Sequence, residues 1–103
     1  MREIDVDQLE QALEGGATVI DVREPMEYAE AHVPGSTLIP MGQLPSRMAD
    51  LDKAETVYLI CRSGHRSGVM GQLLSANQFD AVNVSGGMIA WIRAGKAYDQ
   101  GLA

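Results

Sequence analysis

The chain carries one cysteine, and it stands in the stretch VYLICRSGHRSG, Val57 to Gly68. Cys61 ends a run of buried-type residues and is followed at once by Arg62, Ser63, Gly64, His65, Arg66 and Ser67. A small core hydrophobe needs neither cations nor flexible backbone after it, whereas an anion does. A strand, a tight loop and a helix N-terminus in succession turn several backbone N–H groups and the positive end of the helix dipole toward one point. A thiolate there is stabilised, and Arg62, Arg66 and His65 add positive charge that draws the thiol pKa below its free value of about 8.5. Gly64 admits a positive φ, and Ser63 and Ser67 offer hydroxyls to the anion or to the helix start. These residue types support nucleophilic attack by Cys61. The alternative is an inert buried cysteine beside solvated arginines, and the joint occurrence of cysteine, glycine and cations in one loop argues against it.

Such a loop has to be carried by regular elements, and the apolar pattern supplies them. Thr56 to Ile60 is nearly continuous in apolar residues, as a parallel strand covered on both faces requires. It runs straight into Cys61. Before it, a short strand at Glu3 to Ile4 precedes a helix capped by Asp7, with Leu9, Ala12 and Leu13 on one face and Gly15-Gly16 as its stop. Thr18 to Val22 reads as a buried strand, Pro25 opens a short helix, and His32-Val33-Pro34-Gly35 turns the chain toward a third strand within Ser36 to Pro40. Gln43 to Asp50 is helical around Pro45. After the cysteine loop, a helix runs from Arg66 or Ser67 to Ala76, a strand covers Ala81 to Val84, and a last helix spans Gly86 to Gly95 with Met88, Ile89, Trp91 and Ile92 facing inward. This alternation predicts a single α/β domain over residues 1–103 with an open, mainly parallel sheet. Ligands of such sheets bind beyond the carboxyl ends of the strands, where Cys61 falls.

Composition bounds the function. With 46% hydrophobic residues the chain can bury a core, and a net charge of −6 argues against a nucleic-acid surface. A lone cysteine forms no internal disulfide, which fits a reducing compartment and hence the cytoplasm. No apolar run approaches membrane length, so no membrane partner is expected. The sequence has neither metal-ligand spacing nor a nucleotide-binding glycine fingerprint, so neither metal nor cofactor is expected.

The loop CRSGHRS resembles the active-site loop of rhodanese-type sulfurtransferases, in which the cysteine opens a six-residue loop. Val19 to Pro40, VIDVREPMEYAEAHVPGSTLIP, is similar to that family's first signature through Asp21, Arg23, Glu27, His32 and Gly35, and Val84 to Trp91, VSGGMIAW, resembles the second through Gly86, Gly87 and Trp91. The loop and its surroundings most resemble single-domain members of the thiosulfate sulfurtransferase type. The resemblance implies five strands flanked by helices, and a Cys61 that takes sulfur from a small anionic donor such as thiosulfate and yields it to a thiophilic acceptor. That acceptor is cyanide in an assay, or a cellular thiol or another protein. By the same reading Arg62 and Arg66 attract the donor, the backbone from Arg62 to Ser67 holds the persulfide, and His65 either contacts substrate or faces water.

The remaining motif residues have scaffold readings. Arg23 and Glu27, four apart across a helix start, read as an ion pair. Asp21 reads as bonding loop backbone, His32 as a satisfied hydrogen-bonding residue of its turn, and Trp91 as core. Two rival functions remain. A cysteine-dependent phosphatase or arsenate reductase also places cysteine at a strand end, but Cys61 and Arg66 enclose four residues, one fewer than the phosphatase ring uses. A non-catalytic binding or regulatory module keeps the fold, yet such modules commonly lack the cysteine or its cations.

Overall fold

The computed structural model describes residues 1–102. The elements, in order, are β1 (Arg2–Ile4), α1 (Val6–Glu14), β2 (Val19–Asp21), α2 (Pro25–Glu30), β3 (Thr37–Leu38), α3 (Leu44–Arg47, continued by a 3-10 turn at Met48–Asp50), β4 (Thr56–Ile60), α4 (His65–Ala76), β5 (Asp80–Val84) and α5 (Gly87–Arg93). The five strands form one sheet in the order β1-β5-β4-β2-β3, and every pairing is parallel. Alternate strand residues separate the core into two layers. Ile20, Val57, Leu59 and Ala81 pack with Leu44 of α3 and Met70 and Leu74 of α4 on one face. Val19, Ile60 and Val84 pack with Leu9 of α1 and Met88 and Trp91 of α5 on the other. β4 is the central strand, and the two layers cover it from both faces, Val57 and Leu59 on one and Ile60 on the other.

This topology creates the site's position. From β2 the chain crosses by α2 to β3 on one side, while from β4 it crosses by α4 to β5 on the other. The loops that follow the adjacent strands β2 and β4 therefore diverge and leave a crevice at their carboxyl ends. Cys61 is the first residue past β4.

Two expectations need correcting. Asp5, not Asp7, caps α1: its carboxylate accepts the Gln8 N–H at 2.8 Å, and the Gln8 side chain accepts the Asp5 N–H at 2.9 Å in a reciprocal capping box. Asp7 lies in the first turn and reaches Lys96 at 2.8 Å. In α5 the inward row is Met88 and Trp91; Ile89 is half-buried and Ile92 is 45% exposed. The helix has only seven residues and sets out from a left-handed two-glycine turn, so one i, i+3 stripe reaches the sheet and the next row is left at its edge.

Candidate active site

Cys61 is 1% exposed at the end of the central strand, and its neighbours follow from how the next residues turn. Gly64, at φ 104°, is the left-handed residue before α4, and it swings the chain back so that its own N–H points at the Cys61 sulfur, 3.1 Å away. One helical turn later the buried Ser67 brings its Oγ to 3.2 Å from the same sulfur. Burial works to raise the Cys61 thiol, but the Ser67 hydroxyl, followed by the N–H groups of Ser67, Gly64 and Ser63, outweighs it, and the thiol titrates below its ordinary value. The leading stabilisers are thus neutral hydrogen-bond donors rather than the arginine and histidine charges expected from the sequence.

The loop keeps this shape because α5 holds it from behind. The N–H groups of Met88 and Ile89 donate to the carbonyls of Cys61 and Arg62 at 2.9 and 3.1 Å. Gly87 makes that approach possible: a Cβ there would lie 2.3 Å from the Cys61 carbonyl oxygen and 2.7 Å from that of Arg62. With these carbonyls turned toward α5, the amides that follow face the sulfur.

The cations divide by partner. Arg66 forms a bidentate pair with Glu27, 2.7 and 2.8 Å, which ties the start of α4 to α2. Through that pair Arg66 holds the Glu27 carboxyl down at about 2. The expected Arg23–Glu27 pair is not formed. Arg23 is buried and grips Asp21 instead, Nη2 to Oδ2 at 2.8 Å and Nε to both carboxylate oxygens, while Nη2 also donates to the Ala31 carbonyl. Asp21 further accepts the Arg23 backbone N–H at 3.0 Å, which bends the chain where β2 ends. The i, i+4 spacing misleads here because Arg23 precedes the helix, where residues i and i+4 do not share a face. Arg62 and His65 are exposed, and neither makes a side-chain bond among the described residues.

Beside Arg62 lies a groove of about 240 Å³, lined by Glu27, Glu30, Met88, Ile89 and Ile92 as well. A larger hollow, about 520 Å³, sits at the amino ends of β2 and β4 and is remote from this chemistry. His32 lies outside the loop: it is buried, stacks on Tyr28 with ring centroids 3.7 Å apart, and meets the Tyr28 carbonyl through Nδ1 at 2.8 Å. Trp91 packs in the core and donates from Nε1 to the Ala97 carbonyl. Gly35, at φ 79°, forms the turn before β3.

A strand-end cysteine in a six-residue loop, braced by a double glycine and flanked by an Asp-x-Arg corner, is a family-level arrangement. The sequence model of the rhodanese-like domain matches residues 5–94. The chain belongs to the rhodanese-like family. YtwF of Bacillus subtilis, whose name assigns it provisionally to the sulfurtransferases, is 41% identical over 88% of this chain and 90% of its own. A sulfurtransferase of Allochromatium vinosum is 36% identical over 92% of each chain. Among solved structures, a rhodanese-related protein of Thermoplasma volcanium superposes with a TM-score of 0.88 at 29% identity, covering 96% of this chain and 98% of its own. A rhodanese-like domain protein of Staphylococcus aureus gives 0.83 at 39% identity over 88% and 91%.

Two residues at this rhodanese-like site went unread in the sequence. Asn83, 2% exposed on β5, accepts the Ser67 hydroxyl at Oδ1, 2.6 Å, and donates from Nδ2 to the Gly64 carbonyl at 3.0 Å and to Glu3 Oε2 at 2.8 Å. Parallel pairing sets Glu3 of β1 directly against it. The available signal was one amide within the apolar run AVNV, since a buried polar side chain must find partners. Among the described residues no group of His, Cys, Asp and Glu is placed to hold a metal ion, and no helix is long and apolar enough to cross a membrane.

Proposed function

We propose that this protein is a sulfurtransferase that carries a sulfane sulfur on Cys61. The observation that carries the reading is the buried Cys61 sulfur facing the Gly64 N–H and the Ser67 hydroxyl, with its thiol titrating below the ordinary value. The sulfurtransferase names of relatives at 36% identity and above support it.

The chemistry runs in two displacements. The Cys61 thiolate attacks the outer sulfur of an anionic donor such as thiosulfate. The donor's S–S bond breaks, sulfite leaves with the electron pair, and Cys61 carries a persulfide. A thiophilic acceptor, cyanide in an assay or a thiol in the cell, attacks the terminal sulfur and returns the thiolate. The same donors serve each anionic state of the loop, because negative charge stays on sulfur throughout. Arg62, exposed and unpaired among the described residues, is the cation that meets the donor and the departing sulfite. Arg66 acts from behind by fixing α4 to α2, since its guanidinium is occupied by Glu27. The cation roles of the two arginines thus differ, although sequence treats them alike. The acceptor is a small thiol or a protein thiol, and a soluble cytoplasmic setting suits both.

Intact-mass spectrometry after incubation with thiosulfate, then cyanide, tests the proposal. The expected result is a gain of one sulfur atom that cyanide removes and that Cys61→Ser never acquires. If neither thiosulfate nor a persulfide donor adds sulfur to the folded protein, the proposal fails and a non-catalytic module takes its place.

A further inference from the structure

Ser67 has one hydroxyl proton and two acceptors within reach, the Cys61 sulfur at 3.2 Å and Asn83 Oδ1 at 2.6 Å. The hydroxyl satisfies one of them at a time. The orientation of the Asn83 amide is not free. Its Nδ2 faces the Gly64 carbonyl and the Glu3 carboxylate, both of which only accept, so Oδ1 is obliged to face Ser67. Both acceptors are buried, Cys61 at 1% and Asn83 at 2% exposure, so neither can turn to bulk water when it loses the hydroxyl.

From this geometry we infer that Asn83, held by Glu3 and Gly64, is a positioning residue that competes with Cys61 for the Ser67 proton and so sets the thiol–thiolate balance of the loop. With Cys61 protonated, Ser67 donates to Asn83 over the shorter contact. When the thiol gives its proton to solvent, the Ser67 hydroxyl keeps its own and rotates onto the thiolate, leaving Asn83 Oδ1 unpaired in a dry site. An unpaired buried acceptor is unfavourable, so Asn83 holds the thiol pKa higher than Ser67 alone would allow. The loop is stabilised enough to ionise and restrained from ionising fully, which keeps the sulfur nucleophilic, since very acidic thiols attack poorly. The other charges around the loop are Arg62 and His65 in it, the Arg66–Glu27 pair, and the Asp21–Arg23 pair at the end of β2; none of them touches the Ser67 hydroxyl. The inference deepens the sulfurtransferase reading by naming what tunes its nucleophile, but its measurement is independent of sulfur transfer.

The experiment is the rate of Cys61 alkylation by iodoacetamide against pH, in the intact protein and in Asn83→Val, Ser67→Ala and the double variant. Valine approximates the amide's volume and suits a strand. Ser67→Ala should raise the midpoint. Asn83→Val should lower it by about one pH unit, because the hydroxyl then has only the sulfur to serve. The double variant should match Ser67→Ala alone, because Asn83 acts through the hydroxyl. An unchanged or raised midpoint in Asn83→Val, or an equal shift with and without Ser67, overturns the inference. Asn83→Ala, whose smaller side chain fits the same space, carries the same prediction if the valine variant does not fold. Sulfur uptake by the intact protein is scored separately, so failure of the sulfurtransferase reading leaves this result standing.

Discussion

Two loops leave the carboxyl ends of adjacent parallel strands, and an acidic side chain is buried at each exit. As the last residue of β2, Asp21 sits at 0% exposure and is met by the full fork of Arg23 plus a backbone N–H. After β4, Cys61 sits at 1% exposure and is met by an amide and a hydroxyl, all neutral. The first group is matched by a whole opposite charge, which locks it and the corner it forms. The second is met by neutral donors, whose hydrogen bonds outweigh burial and leave the thiol titrating below its ordinary value. A position at a strand's carboxyl end is thus compatible with either arrangement; the charge of the partner distinguishes them.

The contrast can be tested from both sides. Cys61→Ser should abolish sulfur uptake completely while the circular dichroism spectrum is retained, whereas loss of the fold would mean that the β4 loop is scaffold after all. Asp21→Ala should do the reverse and cost about 3–5 kcal/mol of stability in urea unfolding, because it leaves the Arg23 guanidinium buried without its partner. Gly87→Ala joins the two cases. Its Cβ would drive into the Cys61 and Arg62 carbonyls, and a loss of about 1–3 kcal/mol should come with slower Cys61 alkylation at fixed pH. Unaltered alkylation would show that α5 does not shape the loop.

The smallest effect belongs to the Arg66–Glu27 pair, which is one-third exposed. Glu27→Gln should cost about 0.2–1 kcal/mol at neutral pH. Because folding lowers the Glu27 carboxyl from 4.5 to about 2, the pair's contribution is complete above the unfolded value and disappears as pH falls through about 2. Wild type and Glu27→Gln should therefore converge in stability toward pH 2, and a constant gap down to that pH would assign the effect to packing.

The strands were legible because a parallel sheet covered on both faces demands uninterrupted apolar runs, and TVYLI is one. The cysteine loop was legible because its glycine and donors are contiguous with the strand they follow. The cap of α1 was misplaced by two residues, since Asp5 and Asp7 are equivalent in type and only the reciprocal bonds with Gln8 separate them. The exposure of Ile92 was missed because α5 is too short for its periodicity to define a face.

By itself, the sequence determined the alternation of strand and helix, the single cysteine and the loop in which it stands, for these depend on residues close together in the chain. Only the tertiary structure decided which charges pair. Arg66 finds Glu27 39 positions away, Arg23 turns to Asp21 rather than to Glu27, and Ser67 meets Asn83, itself fixed by Glu3 80 positions earlier. A side chain's partner is set by strand order and register, and those are fixed by burying both faces of the sheet at once, a condition imposed by the whole chain rather than by any one segment of it.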